Sequence, residues 1–168
     1  MSAIPFALRV AAPADWPLYR TVRLRALQDA PDAFGSSHAV EAGRADAHWA
    51  DRVAAAHGSG QDRLLLALRA QAVCGLVWCK LSAAEPGRAD LFQMWVEPAA
   101  RGLGIGGAML DDVLAWAGRA GASRICLGVT TTNGAAMRLY QRRGFRPAGP
   151  TAPLREGSSL RVQPMVRP

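Results

Sequence analysis

Four glycines lie within the seven positions from Arg101 to Gly107, and this glycine loop is the feature whose spacing most clearly indicates chemistry. It follows the apolar run Leu91 to Val96 and precedes an amphipathic stretch typical of a helix. Glycines let backbone N–H groups approach a ligand closely, and a helix N-terminus adds the positive end of its dipole. A strand, a glycine loop and a helix start in this order therefore indicate a site for an anion.

Two nucleotide-binding motifs match the glycine loop in part. A nucleoside-triphosphate loop needs Lys followed by Ser or Thr after its last glycine, and the chain has Ala and Met there. The dinucleotide fingerprint G-x-G-x-x-G is matched literally by Gly102, Gly104 and Gly107. However, the first of these glycines stands too far beyond Val96, and the acidic residue expected about 20 residues later is missing from the sequence. The spacing therefore disfavours both motifs.

Two sequence blocks, taken together, resemble a known family. Arg101 to Gly106 fits the pattern R-x-x-G-x-G, and Asn133 to Phe145 fits N-x-x-A-x-x-L-Y-x-x-x-G-F. In this order, with room for one helix and one strand between them, they resemble the acetyl-CoA signature of the GNAT N-acetyltransferase superfamily. The runs Arg23 to Leu27 and Pro31 to Gly35 resemble a common subgroup of that family. The resemblance implies an acetyl-CoA-dependent N-acetyltransferase.

Apolar periodicity predicts the element order β, α, α, β, β, β, α, β, α, β, β, which indicates a mixed sheet with helices on its faces. The resemblance implies the same α/β class, a single-domain fold with a splayed, mixed β-sheet and helices on both faces. At 168 residues, half of them apolar, the chain is long enough for one well-buried domain. We expect one N-acetyltransferase domain over 1–168, made of acceptor-side helices and first strands (1–88), an acetyl-CoA-binding core (89–146) and C-terminal strands (147–168).

In the fold that the resemblance implies, Leu91 to Val96 splays away from the strand Ser123 to Thr130, and acetyl-CoA lies in the gap. Backbone groups of Met94 and Val96 would bind the pantetheine arm, and amides of the glycine loop would hold the pyrophosphate. The cofactor-binding residues expected on this basis are Met94, Trp95, Val96, Arg101, Gly102, Leu103, Gly104, Ile105, Gly106, Gly107, Asn133, Ala136, Tyr140 and Arg142.

Acetyl transfer to an amine builds negative charge on the thioester oxygen and expels a thiolate. We expect backbone N–H groups near Val96, freed by the splayed sheet, to stabilise the oxyanion. By resemblance, Tyr140 is the general acid that protonates the thiolate, although its ring could instead simply pack one face of a helix. Because a thiol pKa is about 8.5, this acid should contribute roughly 10² to 10⁴ in rate. Asn133 is expected to hydrogen-bond the pantetheine, to cap its helix, or to do both.

The general base is the catalytic group that the sequence indicates least clearly. Many relatives carry Glu inside the strand that contacts the cofactor, where this chain has Gln93, which cannot accept a proton. Asp90, at the start of the strand, is the candidate base, acting directly or through water. Glu97, Glu85 and Glu41 are weaker candidates because each is more typical of a solvated surface carboxylate. An amine with a low pKa would need no base.

The formal charge of +7 is compatible with a phosphorylated ligand, a nucleic acid or a lipid surface. No block of consecutive basic residues and no alternation of basic with aromatic residues indicates a nucleic-acid groove. We therefore expect no nucleic-acid partner. Instead, we expect the cluster Arg138, Arg142, Arg143 and Arg146 to meet the 3′-phosphate of the cofactor.

The histidines, the cysteines and the hydropathy of the chain predict neither a metal site nor a membrane span. The three histidines and three cysteines lack the spacing of a metal site, and we predict none. The odd number of cysteines, all in apolar runs, indicates reduced, buried thiols. Without a run of about 18 apolar residues or a recognisable signal peptide, we expect no membrane association and a cytoplasmic location.

The acceptor is expected to be a primary amine on a small molecule or a peptide, attacked directly in a ternary complex. Its identity, the use of longer acyl-CoAs and the oligomeric state are left open by the sequence, although a homodimer is plausible for the family. Two other functions stay open. One is a catalytically silent acyl-CoA-binding or regulatory module, which the presence of Tyr140 disfavours; the other is a basic nucleic-acid-binding domain.

Overall fold

The computed structural model describes residues 5–168, which fold around one eight-stranded sheet. Its strands are β1 (Phe6–Val10), β2 (Asp62–Arg69), β3 (Ala72–Leu81), β4 (Arg88–Val96), β5 (Arg124–Thr130), β6 (Arg146–Pro147), β7 (Ala152–Pro153) and β8 (Arg161–Arg167). The helices are α1 (Trp16–Asp29), α2 (His38–Ala42), α3 (Asp46–Ser59), α4 (Ile105–Arg119) and α5 (Gly134–Arg142). The strand order is β1-β2-β3-β4-β5-β8-β6, and β7 also pairs with β8.

Alternate side chains of β2 enter two different hydrophobic cores. Leu64 and Leu66 belong to the core beneath α1 and α3, whereas Leu65 and Ala67 belong to the core beneath α4. This alternation follows from the strand period of two, which sends successive side chains to opposite faces of a sheet. Helices therefore cover both faces, and the predicted α/β class is confirmed.

The sheet splits between its two parallel strands. β4 and β5 pair over three positions, with Arg88 to Asp90 opposite Arg124 to Cys126. Beyond these positions they diverge, while β5 stays paired with β8 as far as Thr130. The predicted splay is therefore confirmed. The strand itself begins earlier than the apolar run suggests, at Arg88, because its first residues are held by pairing rather than by an apolar pattern.

A bulge in β4 marks the start of the split. Trp78 of β3 faces Phe92, but Leu76 faces Trp95, so Gln93 and Met94 together stand opposite a single residue of β3. Gln93 has a φ of +56°, which is uncommon for a residue other than glycine. The bulge therefore bends β4 where the strand already runs free of β5.

Candidate active site

The glycine loop presents a row of backbone donors at the start of α4. Gly102 and Gly104 have φ values of +78° and +83°, and a Cβ at either position would meet no atom within 4 Å. The carbonyl of Gly104 accepts the first hydrogen bond of the helix, from the N–H of Ala108 at 3.0 Å. Within residues 5–168, no hydrogen bond uses the N–H groups of 102–107. These free amides and the helix dipole form a site suited to a phosphate group.

A cavity of about 560 Å³, here called the loop cavity, lies beside this row of amides. All the cofactor-binding residues expected from the sequence line it except Leu103, which is 41% exposed at the tip of the loop. The other lining residues come from the end of α1 and the turn after it, from the turn before the glycine loop and from α5. The additional lining residues are Asp29, Ala30, Ala33, Ala100, Ala135 and Leu139.

A second cavity of about 390 Å³, here called the strand cavity, lies between the diverging strands β4 and β5. The segment from Ala33 to Gly35 lines one side of it, and Leu154 and Val162 line another. Five residues line both cavities, namely Ala33, Met94, Asn133, Ala136 and Tyr140. The two cavities therefore meet at Tyr140 and could hold two molecules side by side.

Tyr140 is the ionisable side chain shared by the two cavities. It is 6% exposed, and its ring packs edge-on against Phe145 with centroids 5.8 Å apart. Burial raises the pKa of Tyr140 well above its ordinary value. None of the hydrogen bonds among residues 5–168 involves its hydroxyl group, which is thus available to a ligand.

Asn133 caps α5 and also faces both cavities. Its Oδ1 accepts a hydrogen bond from the N–H of Ala136 at 3.2 Å, so the predicted helix cap is confirmed. Its Nδ2 has no partner among the described residues and can donate to a ligand. The same side chain can therefore fix the helix start and contact a bound molecule.

The outer end of β4 is held by Arg101 and Asp29. Arg101 donates from Nε to the carbonyl of Val96 at 2.9 Å and from Nη2 to Asp29 at 3.0 Å. The indole of Trp95 donates to the same carboxylate at 2.9 Å. Asp29 thus joins the last turn of α1 to β4 and to the glycine loop.

The edge of β4 that faces the gap carries an unpaired amide. The N–H of Glu97 donates to Cys74 of β3 at 2.8 Å. Successive N–H groups of a strand point to opposite edges, so the N–H of Val96 points into the gap. This geometry suits an extended ligand that hydrogen-bonds to β4 as another strand would.

Comparison with known proteins decides the family. A sequence model of the acetyltransferase (GNAT) family matches residues 24–145. The chain belongs to this family. It is 28% identical over 138 residues to a mycothiol acetyltransferase of Brachybacterium faecium. The matched region covers 80% of this chain and 38% of that protein. The chain spans only 25% to 38% of the length of the curated relatives that it matches.

Solved structures show the same fold over nearly the whole chain. A GCN5-related N-acetyltransferase from Kribbella flavida is 28% identical, with a TM-score of 0.77 and 97% of each chain covered. The protein yncA from Salmonella typhimurium is 19% identical, with a TM-score of 0.79 and coverage of 96% of this chain and 92% of that one. The yncA structure contains its cofactor, acetyl-CoA.

The basic cluster of this GNAT protein divides between the loop cavity and the protein surface. Arg142 lines the loop cavity, as expected of a residue that meets a cofactor phosphate. Arg143 instead donates to both carboxylate oxygens of Asp111, at 3.0 and 3.2 Å. Arg138 and Arg146 are exposed, and neither lines either cavity.

Asp90 lies at the closed end of the split, where β4 and β5 still pair. Its Oδ1 accepts hydrogen bonds from Nε and Nη2 of Arg88 at 3.0 and 2.8 Å. It lines an adjoining cavity, which does not include Tyr140 and shares four lining residues with the strand cavity, namely Leu91, Phe92, Leu127 and Gly128. Asp90 could therefore reach a bound amine only through intervening water.

Two residues, Gln93 and Arg23, have surroundings that the sequence does not predict. Gln93 lies in the bulge, where its Oε1 accepts a hydrogen bond from the Tyr19 hydroxyl at 2.8 Å, and Arg52 donates to that hydroxyl at 3.4 Å. Arg23 is buried and lines the strand cavity. Local sequence draws attention to both residues, but the positive φ of Gln93 and the burial of Arg23 depend on tertiary contacts that no local pattern predicts.

The cysteines, possible metal ligands and long helices of residues 5–168 can each be compared with the predictions from the sequence. Cys74 and Cys79 are buried free thiols, as expected, whereas Cys126 is half-buried. Burial raises the pKa of Cys79 to about 12, so this thiol stays protonated. Within residues 5–168, no group of three or more His, Cys, Asp or Glu side chains is arranged to hold a metal ion. No helix in this part of the chain is long and apolar enough to cross a membrane.

Proposed function

We propose that the protein transfers an acetyl group from acetyl-CoA to a primary amine by direct attack in a ternary complex. The observation that carries this proposal is the meeting of the loop cavity and the strand cavity at Tyr140. With acetyl-CoA in the first and an amine in the second, the amine nitrogen and the thioester would approach each other beside the phenol. Holding both reactants in place replaces a slow bimolecular encounter with a reaction between neighbours.

Acetyl-CoA suits the residues of the loop cavity. The free amides of the glycine loop would bind its pyrophosphate, and the N–H of Val96 and the side-chain amide of Asn133 would bind its pantetheine arm. Arg142 would neutralise the 3′-phosphate. The positive φ values at Gly102 and Gly104, with open space at each Cβ position, support this assignment because glycine there lets the backbone approach a ligand closely.

In the proposed reaction, the neutral amine forms a C–N bond with the acetyl carbon, and the C–S bond of the thioester breaks. Backbone N–H groups along the open edge of β4 would stabilise the oxyanion. Tyr140 would give its proton to the departing thiolate, and the proton lost by the amine would restore the phenol through solvent. Because burial raises the pKa of Tyr140, its hydroxyl group is protonated at neutral pH.

The strand cavity also favours direct attack over an acetyl-enzyme route. No cysteine or carboxylate lines it within the described part of the chain. Asp90 stays our candidate base through water, although its contact with Arg88 weighs against the role. If Asp90 is the base, Asp90→Asn should shift the acidic limb of the pH profile of kcat/KM. An unshifted limb would exclude Asp90 as the base.

A kinetic experiment tests the proposal. Initial rates of thiol release, measured while acetyl-CoA and an amine are both varied, should give intersecting lines for a ternary complex. Incubation with radiolabelled acetyl-CoA alone should leave no label on the protein. Parallel rate lines together with a labelled protein would contradict direct attack and point to a covalent intermediate.

One structural feature favours a second candidate, the catalytically silent acyl-CoA-binding module. The described lining of the strand cavity holds no carboxylate that could act directly as a base. Such a module would bind acetyl-CoA but release no thiol with any amine of a broad panel, including amines of low pKa. Thiol release with any member of the panel would eliminate this candidate.

The expected binding partners and the expected cellular location of the protein stay predictions. The matched relatives are named mycothiol acetyltransferases. Because the chain covers only 25% to 38% of their length, we do not assign their acceptor to it. We propose a cytoplasmic protein without a nucleic-acid or membrane partner, for which a salt-dependent gel shift is the simplest check. A homodimer is testable by sedimentation.

A further inference from the structure

Arg23 is a buried cation at the strand cavity. It projects from the middle of α1, is 4% exposed and lines the cavity together with Phe34. Its guanidinium carbon lies 4.8 Å from the centre of the Phe34 ring, so one face of the group is covered by the aromatic ring. Only the edge of the guanidinium, which carries its N–H donors, is left for a polar partner.

The described residues supply no such partner. Nε and Nη1 of Arg23 are buried without a hydrogen bond, and Arg23 makes no ion pair within residues 5–168. Glu41 acts on Arg23 through space, but its carboxylate pairs with two other cations. Its carboxylate is 3.3 Å from Arg44 and 3.5 Å from Arg52. One carboxylate is therefore shared by three guanidinium groups, and the local charge is positive.

A buried guanidinium without a partner is unfavourable, since the group loses its hydration and cannot shed its proton at neutral pH. Burial lowers the pKa of Arg23 from its ordinary value, consistent with that penalty. The rest of the strand cavity contributes no charge at neutral pH, because its other described residues are apolar or neutral polar. The cavity is thus suited to an anion and unsuited to a polyamine.

We propose that the strand cavity takes an amine that also carries a carboxylate, with the carboxylate paired to Arg23 and the amine directed to Tyr140. This inference rests on the proposed function and narrows its acceptor to amino acids and related amino-carboxylates. A carboxylate can accept a charge-assisted hydrogen bond from Nη2, the guanidinium nitrogen that is not among the buried unpartnered atoms. The volume of about 390 Å³ suits a molecule of that size.

Titration calorimetry on the CoA-saturated protein tests this inference without any turnover. The probes are matched pairs, each an L-amino acid and its carboxamide, which differ in the carboxylate alone. For at least one pair we expect the carboxylate to bind about tenfold more tightly, as a charge-assisted hydrogen bond allows. In Arg23→Gln the dissociation constants of the amino acid and its carboxamide should differ by no more than about twofold. A charge-assisted hydrogen bond would give a larger difference.

Arg25→Gln is the matched control, because it removes the same charge two residues away on α1. Arg25 contacts Glu97 and the carbonyl of Val73 and does not line the strand cavity. The carboxylate preference should persist in this variant and in part in Arg23→Lys. If Arg23→Gln does not fold, the carboxylate preference measured for the wild type and for Arg23→Lys still tests the inference.

The inference is overturned if no wild-type pair favours the carboxylate, or if the preference survives Arg23→Gln. Tighter binding of aminomethylphosphonate than of glycine would also overturn it, because the site would then select a phosphonate. Carboxylate binding that depends on Arg23, without thiol release from acetyl-CoA, would support the inference while contradicting the proposed reaction. Failure of the function and failure of the acceptor class are therefore distinguishable.

Discussion

The two tyrosines of the chain are both buried, but their hydroxyl groups have different surroundings. The hydroxyl of Tyr19 donates to Gln93 and is part of the fold. The hydroxyl of Tyr140 has no partner among the described residues and lies where the loop and strand cavities meet. The loss of each hydroxyl should therefore have a different effect, and the pair forms a natural control.

Tyr140→Phe should slow acetyl transfer by roughly 10² to 10⁴, because the thiolate would leave without a proton donor. The affinity for acetyl-CoA should stay near that of the wild type, since the removed hydroxyl makes no contact that shapes the loop cavity. Steady-state thiol release and calorimetric binding of acetyl-CoA measure the two quantities. A variant that turns over at the wild-type rate at every pH would exclude Tyr140 as the acid.

Among the elements, β4 has the most demanding geometry. It pairs with β3 along most of its length, leaves β5 after three residue pairs and carries a bulge at the point of divergence. The bulge is tied to α1 through Tyr19 and Gln93, and the outer end of β4 is tied to the same helix through Asp29 and Trp95. Helix α1 therefore sets the width of the gap at two points.

Tyr19→Phe should destabilise the fold by about 1 kcal/mol, because the half-buried side-chain oxygen of Gln93 loses its donor. The bulge would also be less well fixed, so kcat should fall although Tyr19 does not line the described cavities. Denaturant unfolding and steady-state kinetics provide the readouts. Tyr140→Phe is the matched control and should be closer to wild-type stability; equal destabilisation of the two variants would contradict the role of the Tyr19 contact.

Gly104→Ala should weaken acetyl-CoA binding, because a φ of +83° is strained for alanine by about 1 to 2 kcal/mol and the loop would shift to relieve it. Calorimetry with acetyl-CoA measures the loss. Gly118→Ala, within α4, is the control. A Cβ there meets nothing within 4 Å, so this variant should gain about 0.4 to 1 kcal/mol of stability and bind acetyl-CoA normally. Unchanged binding by Gly104→Ala would contradict the proposed phosphate site.

For the whole molecule, the raised pKa values of Tyr19 and Tyr140 predict the response to alkali. An unfolded chain ionises its tyrosines near pH 10, whereas burial keeps both neutral in the folded protein. The stability that depends on them is thus complete below pH about 10 and declines as the pH rises above it. Tyrosinate absorbance and circular dichroism should change together. Tyrosinate that appears while the circular dichroism stays native would contradict this.

The sequence identifies the parts of the site that depend on local pattern. The glycine loop, the cap at Asn133 and the position of Tyr140 on the next helix follow from short motifs, and the structure brings all three to one cavity. The element order follows from apolar periodicity, because each face of the sheet is covered by helices. Helix α2, at five residues, and strand β7, at two, are too short to produce a periodic pattern and are missed.

The features that the sequence does not reveal depend on contacts between distant residues. Gln93 adopts a positive φ in a strand whose partner, Tyr19, is 74 positions away. Arg20, Arg23 and Arg25 look alike in the sequence of α1, and only the packing of that helix on the sheet decides which of them lines the strand cavity. The acceptor class, which rests on Arg23, is therefore visible only in three dimensions.

The short pairing between β4 and β5 divides the sheet into two halves, β1 to β4 and β5 to β8, joined by three residue pairs. A ligand in the gap that contacts both halves would add cross-links that the protein alone lacks. At 100 times its dissociation constant, a ligand that binds only the folded state stabilises it by about 2.7 kcal/mol. Under the proposed function, the proportion of chains that escape proteolysis would rise with the acetyl-CoA concentration, and the abundance of this protein would respond to the supply of that ligand.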